Sequence, residues 1–223
     1  MAPTREKALT ERDFERLLDG ARRIDDETQR FEAHAVILLG GRLGFRPGEL
    51  THFDESWVDR QRQIVHVPDH APCRDGRDGE ICGYCRQAVE QRIRHDQEAS
   101  FDEIAEQYWQ PKTDAASRPI PFHFSARVEL AVESLANEYG GWPYSFSTLQ
   151  RRLDAALECA RSLDRTSTSL HGLRATAASY HASRGLELAA FRSMFGWEDL
   201  ATARQYLNID GAMTRRALSD IHS

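Results

Sequence analysis

The sequence predicts a mainly α fold with a small antiparallel β-sheet, an α+β arrangement. Three observations predict it. Apolar residues recur at helical spacing along most of the 223 residues, capping and stop residues punctuate those stretches, and two short stretches lean towards β structure around polar turns. There is no internal repeat, low-complexity tract or obvious interdomain linker.

Thr10 is placed to cap a helix over residues 11 to 23, where Phe14, Leu17, Leu18 and Ala21 share a face. A second helix is expected from Glu27 to Leu43, with Gly44 suited to end it. In GFRPGEL, Pro47 suits the first turn of a new short helix. Trp57 and Val58, then Ile64, Val65 and Val67, flank the polar turn from Arg60 to Gln63 as a small hairpin. Residues 68 to 86 are irregular, and Arg86 to Glu106 is expected to be helical with a break near Ser100. WQPKTDAASRPIPF is expected to form a second hairpin with Lys112 at its turn. Helices follow over Ser125 to Glu138, Ser147 to Leu163, Ser169 to Ser183, Leu186 to Phe195 and Leu200 to Leu207.

Length and a 40% hydrophobic content suit a chain with a sizeable core. No run approaches a membrane span, and the charged, amphipathic start does not resemble a signal peptide, so the expected location is the cytoplasm. Thiols stay reduced there, which makes the four cysteines candidates for ligands or core residues. A net charge of −6 argues against a simple nucleic-acid binder. The charge is uneven, however: residues 1–139 carry 19 Lys and Arg against 27 Asp and Glu, while residues 140–223 carry 10 against 8. A local basic surface can survive an acidic total.

HGLRAT sets His171 and Arg174 three positions apart on one helix side, a proton carrier beside a permanent cation. Arg46 falls at the entry of a short helix, where the helix dipole disfavours a cation and favours an anion. An internal bridge to Glu49 would also explain it, and both can hold together. FGWEDLATARQYLN adds Tyr206 nine positions after Trp197. Phosphate chemistry without a nucleotide loop needs a nucleophile, fixed cations and a proton donor, and this chain offers Tyr206, Arg46, Arg174, Lys112 and His171.

From about Leu9 to Asn208 the sequence resembles the catalytic domain of the tyrosine recombinases, the phage-integrase family with Cre-like and XerC/XerD-like members. GFRPGEL is similar to the family's first arginine box, PKTDAASRPIPF to its β-hairpin lysine segment, LHGLRAT to its His-x-x-Arg box, and FGWEDLATARQYL to its closing segment. Order and spacing carry the resemblance, with Arg174 to Trp197 at 23 positions. It implies a catalytic domain over 9–217 that cleaves and rejoins double-stranded DNA through a 3′-phosphotyrosyl intermediate, with no catalytic cofactor. The implied catalytic residues are Arg46, Lys112, His171, Arg174, Trp197 and Tyr206. A catalytically idle DNA-binding or regulatory relative is the alternative.

Three departures stand out. Trp197 replaces the commoner histidine, and an indole N–H can donate to a phosphate oxygen but cannot shuttle protons, which leaves His171 as the base. About eight residues precede the first helix, so a solo catalytic domain, or a DNA clamp located elsewhere, is expected. Such a chain would be a monomer when free and a homo-oligomer on DNA. Finally, residues 68–108 form an insertion before the lysine segment. Within it His70, Cys73, Cys82 and Cys85 read H-x2-C-x8-C-x2-C, a pattern suited to a structural Cys3His zinc site, with His66 or His95 as alternative fourth ligands. Cys159, among Ala155, Ala156 and Leu163, is expected in the core.

Overall fold

The computed structural model describes residues 8–95, 100–109, 116–161, 163–204, 206 and 219. Its helices are α1 (Glu11–Arg22), α2 (Glu27–Gly41), α3 (Pro47–Thr51), α4 (Gly83–His95), α5 (Phe101–Ala105), α6 (Ala126–Tyr139), α7 (Phe146–Cys159), α8 (Leu170–Ser183), α9 (Leu188–Phe195) and α10 (Leu200–Arg204). Three strands, β1 (Val58–Asp59), β2 (Ile64–Val67) and β3 (Arg118–Pro121), form an antiparallel sheet in the order β1-β2-β3. Among the described residues no helix is long and apolar enough to cross a membrane.

α2 is the central post. Nine of its residues are buried, Ala33 and Val36 to Gly41 among them, so it lacks the polar face of a surface helix. α1, α6, α7 and α8 pack around it. Its buried Glu32 is neutralised by Arg152 of α7. α1 and α7 approach closely because Gly20 has no side chain: a Cβ there would lie 2.2 Å from the Ala156 carbonyl. Thr10 caps α1 through the Asp13 amide, as its residue type predicts.

The sheet differs from the expected pair of hairpins. β1 and β2 form the first hairpin, pairing Val58 with Val65 and Asp59 with Ile64. β3 then takes β2 as its partner, with Val65 opposite Ile120 and Val67 opposite Arg118. The expected first arm of the second hairpin, at Trp109, instead exchanges backbone hydrogen bonds with Ala71 at 2.5 and 3.1 Å. Backbone donors there are satisfied inside the cysteine-rich segment. Lys112, the expected turn lysine, lies outside the described residues.

α4 begins at Gly83, earlier than expected, because Cys82 acts as its cap: the carbonyl accepts from the Arg86 amide at 2.9 Å and Sγ accepts from the Cys85 amide at 3.4 Å. α7 stops at Cys159 where Ala160 turns extended. Cys159 is half-buried and packs against the core.

Candidate active site

The site is built where α3, α8 and the end of α9 meet. Arg46 is the N-cap of α3, and its backbone N–H donates to Glu49 Oε2 at 2.7 Å. Its guanidinium bonds Glu49 Oε1 at 2.8 Å and the Gly196 carbonyl at 3.0 Å. The bridge to Glu49 therefore coexists with partial exposure of the guanidinium to a cleft.

Arg174 rises from α8 and is buried, donating to the carbonyls of Gly44 and Phe195. A third guanidinium joins them. Arg118 of β3 makes a two-pronged bridge to Glu49 at 2.7 and 2.9 Å and bonds the Met194 carbonyl at 2.7 Å.

The three arginines thus hold three successive carbonyls, Met194, Phe195 and Gly196, at the C-terminal end of α9. These are the groups a helix end leaves without internal partners, and the dipole there favours cations. Gly196 closes the helix at φ 56°, a left-handed conformation suited to glycine. Trp197 follows directly, so the arginines also fix the strap from which the indole hangs.

Burial alone would raise the Glu49 pKa, but Arg118 above all, then Arg174 and Arg46, hold it down at about 2. For Arg174 burial comes first, then repulsion from Arg46, and together they press its pKa well down against the opposing pull of Glu49. Three guanidiniums surround one buried carboxylate, while Glu198 and Asp199 also line the cleft onto which Arg46 and Arg174 open.

An unfolded glutamate takes up its proton near pH 4.5 and folded Glu49 near pH 2, so this group's stabilisation is fully present above about pH 4.5 and is lost as pH falls towards 2. The loss should approach about 3 kcal/mol near pH 2, of which about 2 kcal/mol is gone by pH 3, seen as a falling urea midpoint between pH 6 and pH 3. Glu49→Gln should remove that contribution and cost about 3 to 5 kcal/mol at neutral pH by stranding buried Arg118.

Arg46, His171, Arg174, Trp197 and Tyr206 all line one open cleft of about 440 Å³. Tyr206 lies just beyond α10 with its ring stacked on Trp197, centroids 5.4 Å apart and planes 6° from parallel. Trp197 in turn stacks on Phe195 at 4.9 Å, and the Arg174 guanidinium sits 5.8 Å from the indole centre. His171 and Arg174 do share a side of α8 facing this cleft.

A second cluster lies beyond the far end of α3. His52, its C-cap, meets Cys73, Cys82 and Cys85, with all four donor atoms within 4.8 Å of one another. These residues could hold a metal ion. The hydrogen bond from the Cys73 thiol, then that from Cys85, draws the Cys82 thiol down to about 3, while the Cys85 thiol is pushed up.

No protein-family model matches the sequence, and no curated protein matches it. Solved structures do. The Tn1549 transposon integrase in complex with transposon right end DNA matches with a TM-score of 0.64 and 17% identity, over 100% of this chain and 68% of that one. The same integrase with a circular intermediate DNA matches at 0.58 and 19%, over 100% and 68%. XerA recombinase matches at 0.50 and 17%, over 97% and 65%. The chain has the fold of a tyrosine recombinase catalytic domain. At these identities the likeness is one of fold, and the chain spans 65 to 68% of the length of these structures.

Within the recombinase fold, two residues were not anticipated from sequence. Arg118 sits in the quoted lysine segment, six residues after Lys112, and only the pairing of β3 with β2 turns it towards Glu49. His52 replaces His70 beside the cysteines. His70 is directed elsewhere, with Nδ1 3.2 Å from the Trp109 carbonyl, and neither His66 nor His95 belongs to the cluster. His52 is 21 positions before Cys73 and has no local spacing to reveal it.

Proposed function

We propose that this chain cleaves and rejoins DNA strands as a tyrosine recombinase. The observation that carries the proposal is the convergence of Arg46, His171, Arg174, Trp197 and Tyr206 on one cleft. The solved integrase with this fold is complexed with DNA, and the two guanidinium forks of Arg46 and Arg174 in the cleft suit the oxygens of a phosphodiester.

In the proposed reaction the Tyr206 oxygen attacks the phosphorus, and its proton passes to His171. Only about one phenol in 10³ is ionised at neutral pH, so the base is needed. Arg46 and Arg174 hold the two non-bridging oxygens as charge builds on them, and the Trp197 N–H donates to one of these. The bond from phosphorus to the 5′ oxygen breaks. Lys112 supplies the proton to that oxygen, leaving a 3′-phosphotyrosyl link and a free 5′ hydroxyl. Attack by a 5′ hydroxyl on the link reverses each step and rejoins the strand. No step of this scheme draws on a metal ion.

We assign residues 9–217 to the catalytic domain and 68–108 to an insertion within it. The partner is double-stranded DNA, on which copies of the chain would assemble, and the site of action is the cytoplasm. The test uses a pool of randomised nicked duplexes, in which a short product beside the nick diffuses away and traps the covalent step. An SDS-resistant protein–DNA adduct is expected. Its absence across the pool, despite DNA binding, would leave a binder and overturn the enzyme.

A further inference from the structure

The geometry points to a zinc site formed by His52, Cys73, Cys82 and Cys85 that locks α3, the helix that carries Arg46 and Glu49, against the cysteine-rich insertion. Tetrahedral zinc, with bonds of about 2.3 Å to sulfur and 2.0 Å to nitrogen, sets its sulfurs about 3.8 Å apart and sulfur to nitrogen about 3.5 Å. The donors are already arranged at that scale. His52 Nε2 lies 3.1 Å from Cys85 Sγ and 3.5 Å from Cys82 Sγ, and all four donor atoms fit within 4.8 Å.

The surroundings match a metal site as well. His52 Nδ1 lies 2.7 Å from the Gly48 carbonyl, an arrangement in which Nδ1–H donates and the Nε2 lone pair faces the sulfurs. Backbone N–H groups of Cys82 and Cys85 point at Cys73 Sγ and Cys82 Sγ, at 3.3 and 3.4 Å, which favours thiolates. All four residues are buried, and Trp109 stacks on the imidazole at 5.3 Å. Four protein ligands leave no open coordination position, so the role is structural.

Three sulfurs and a borrowed histidine would do more than staple a loop. The histidine belongs to α3, a five-residue helix too short to hold itself. Arg46 starts that helix, Glu49 sits inside it and His52 ends it. A second contact ties the same helix to the insertion: Tyr84 of α4 covers Gly48, where a Cβ would lie 2.6 Å from the tyrosine oxygen. Losing the metal frees the helix end, and with it the guanidinium that reaches Gly196. His52 is thus a positioning residue. Its importance for strand cleavage rests on the recombinase reading, whereas metal binding and the order of α3 do not.

Metal analysis of the full chain purified under reducing conditions should find one zinc per chain. Cobalt substitution should produce the ligand-field bands of tetrahedral thiolate coordination. His52→Ala should weaken zinc at least tenfold, His52→Cys should retain it with a fourth thiolate, and His70→Ala should leave it unchanged. Hydrogen exchange at the amides of residues 48–52 should quicken at least tenfold when zinc is chelated or in His52→Ala, and be restored in His52→Cys. Substoichiometric zinc, or zinc lost in His70→Ala but kept in His52→Ala, would overturn the site. Unchanged exchange in α3 after chelation would overturn the coupling. Failure to form a DNA adduct in a zinc-loaded chain with protected α3 would count against the recombinase reading alone.

Discussion

Tyr206→Phe is expected to abolish the SDS-resistant adduct while leaving DNA affinity nearly unchanged and the fold intact. The substitution removes one oxygen and keeps the ring that stacks on Trp197 and meets Phe191 edge-on at 6.4 Å. With the ring packing kept, the stability change should stay within the worth of one hydrogen bond, about 0.5 to 1.5 kcal/mol. Without the hydroxyl there is no bond to phosphorus, so the loss is complete rather than graded. Trapping assays on the unchanged chain and the variant, run beside a gel-shift titration, separate chemistry from binding. An adduct that persists would assign the nucleophile to another residue.

Arg174→Ala is expected to slow adduct formation by about 10² to 10³-fold, the usual cost of losing one preorganised donor to a developing oxyanion. Stability responds through two opposing effects. The Gly44 and Phe195 carbonyls lose their donor, at about 1 to 3 kcal/mol for buried groups left unsatisfied. Relief of crowding with Arg46 offsets part of that loss. The rate should therefore fall far more than the unfolding midpoint. Arg174→Lys should recover the charge but only part of the rate, because a single ammonium cannot hold both carbonyls and a phosphate oxygen with the geometry of a planar fork. Single-turnover trapping and urea unfolding on the same preparations measure the two effects. Equal and complete recovery by lysine would show that charge alone matters there.

Much of this fold is legible along the chain. Capping by Thr10, the apolar face of α1 and the break at Ser100, which caps α5, are local signals that the structure repeats. His171 and Arg174 are also local, since a single helix sets their common side. What escapes sequence reading is contact between distant segments. Arg118 meets Glu49 across 69 positions because the third strand joins the second. His52 meets Cys82 across 30, because α3 and the insertion pack together. The H-x2-C spacing singled out His70 by proximity, yet the backbone at Ala71 pairs with Trp109 and draws His70 to that carbonyl. Sequence spacing predicts ligands well only when one short loop supplies them all.

The central claim is that the cleft lined by Arg46, His171 and Arg174 delivers a phosphodiester to Tyr206. Its most direct measurement is mass spectrometry of the trapped adduct after nuclease and protease digestion. The account predicts a nucleotide joined through a 3′ phosphate to the peptide that contains Tyr206. A nucleotide attached to a different side chain, or joined through a 5′ phosphate, would contradict it.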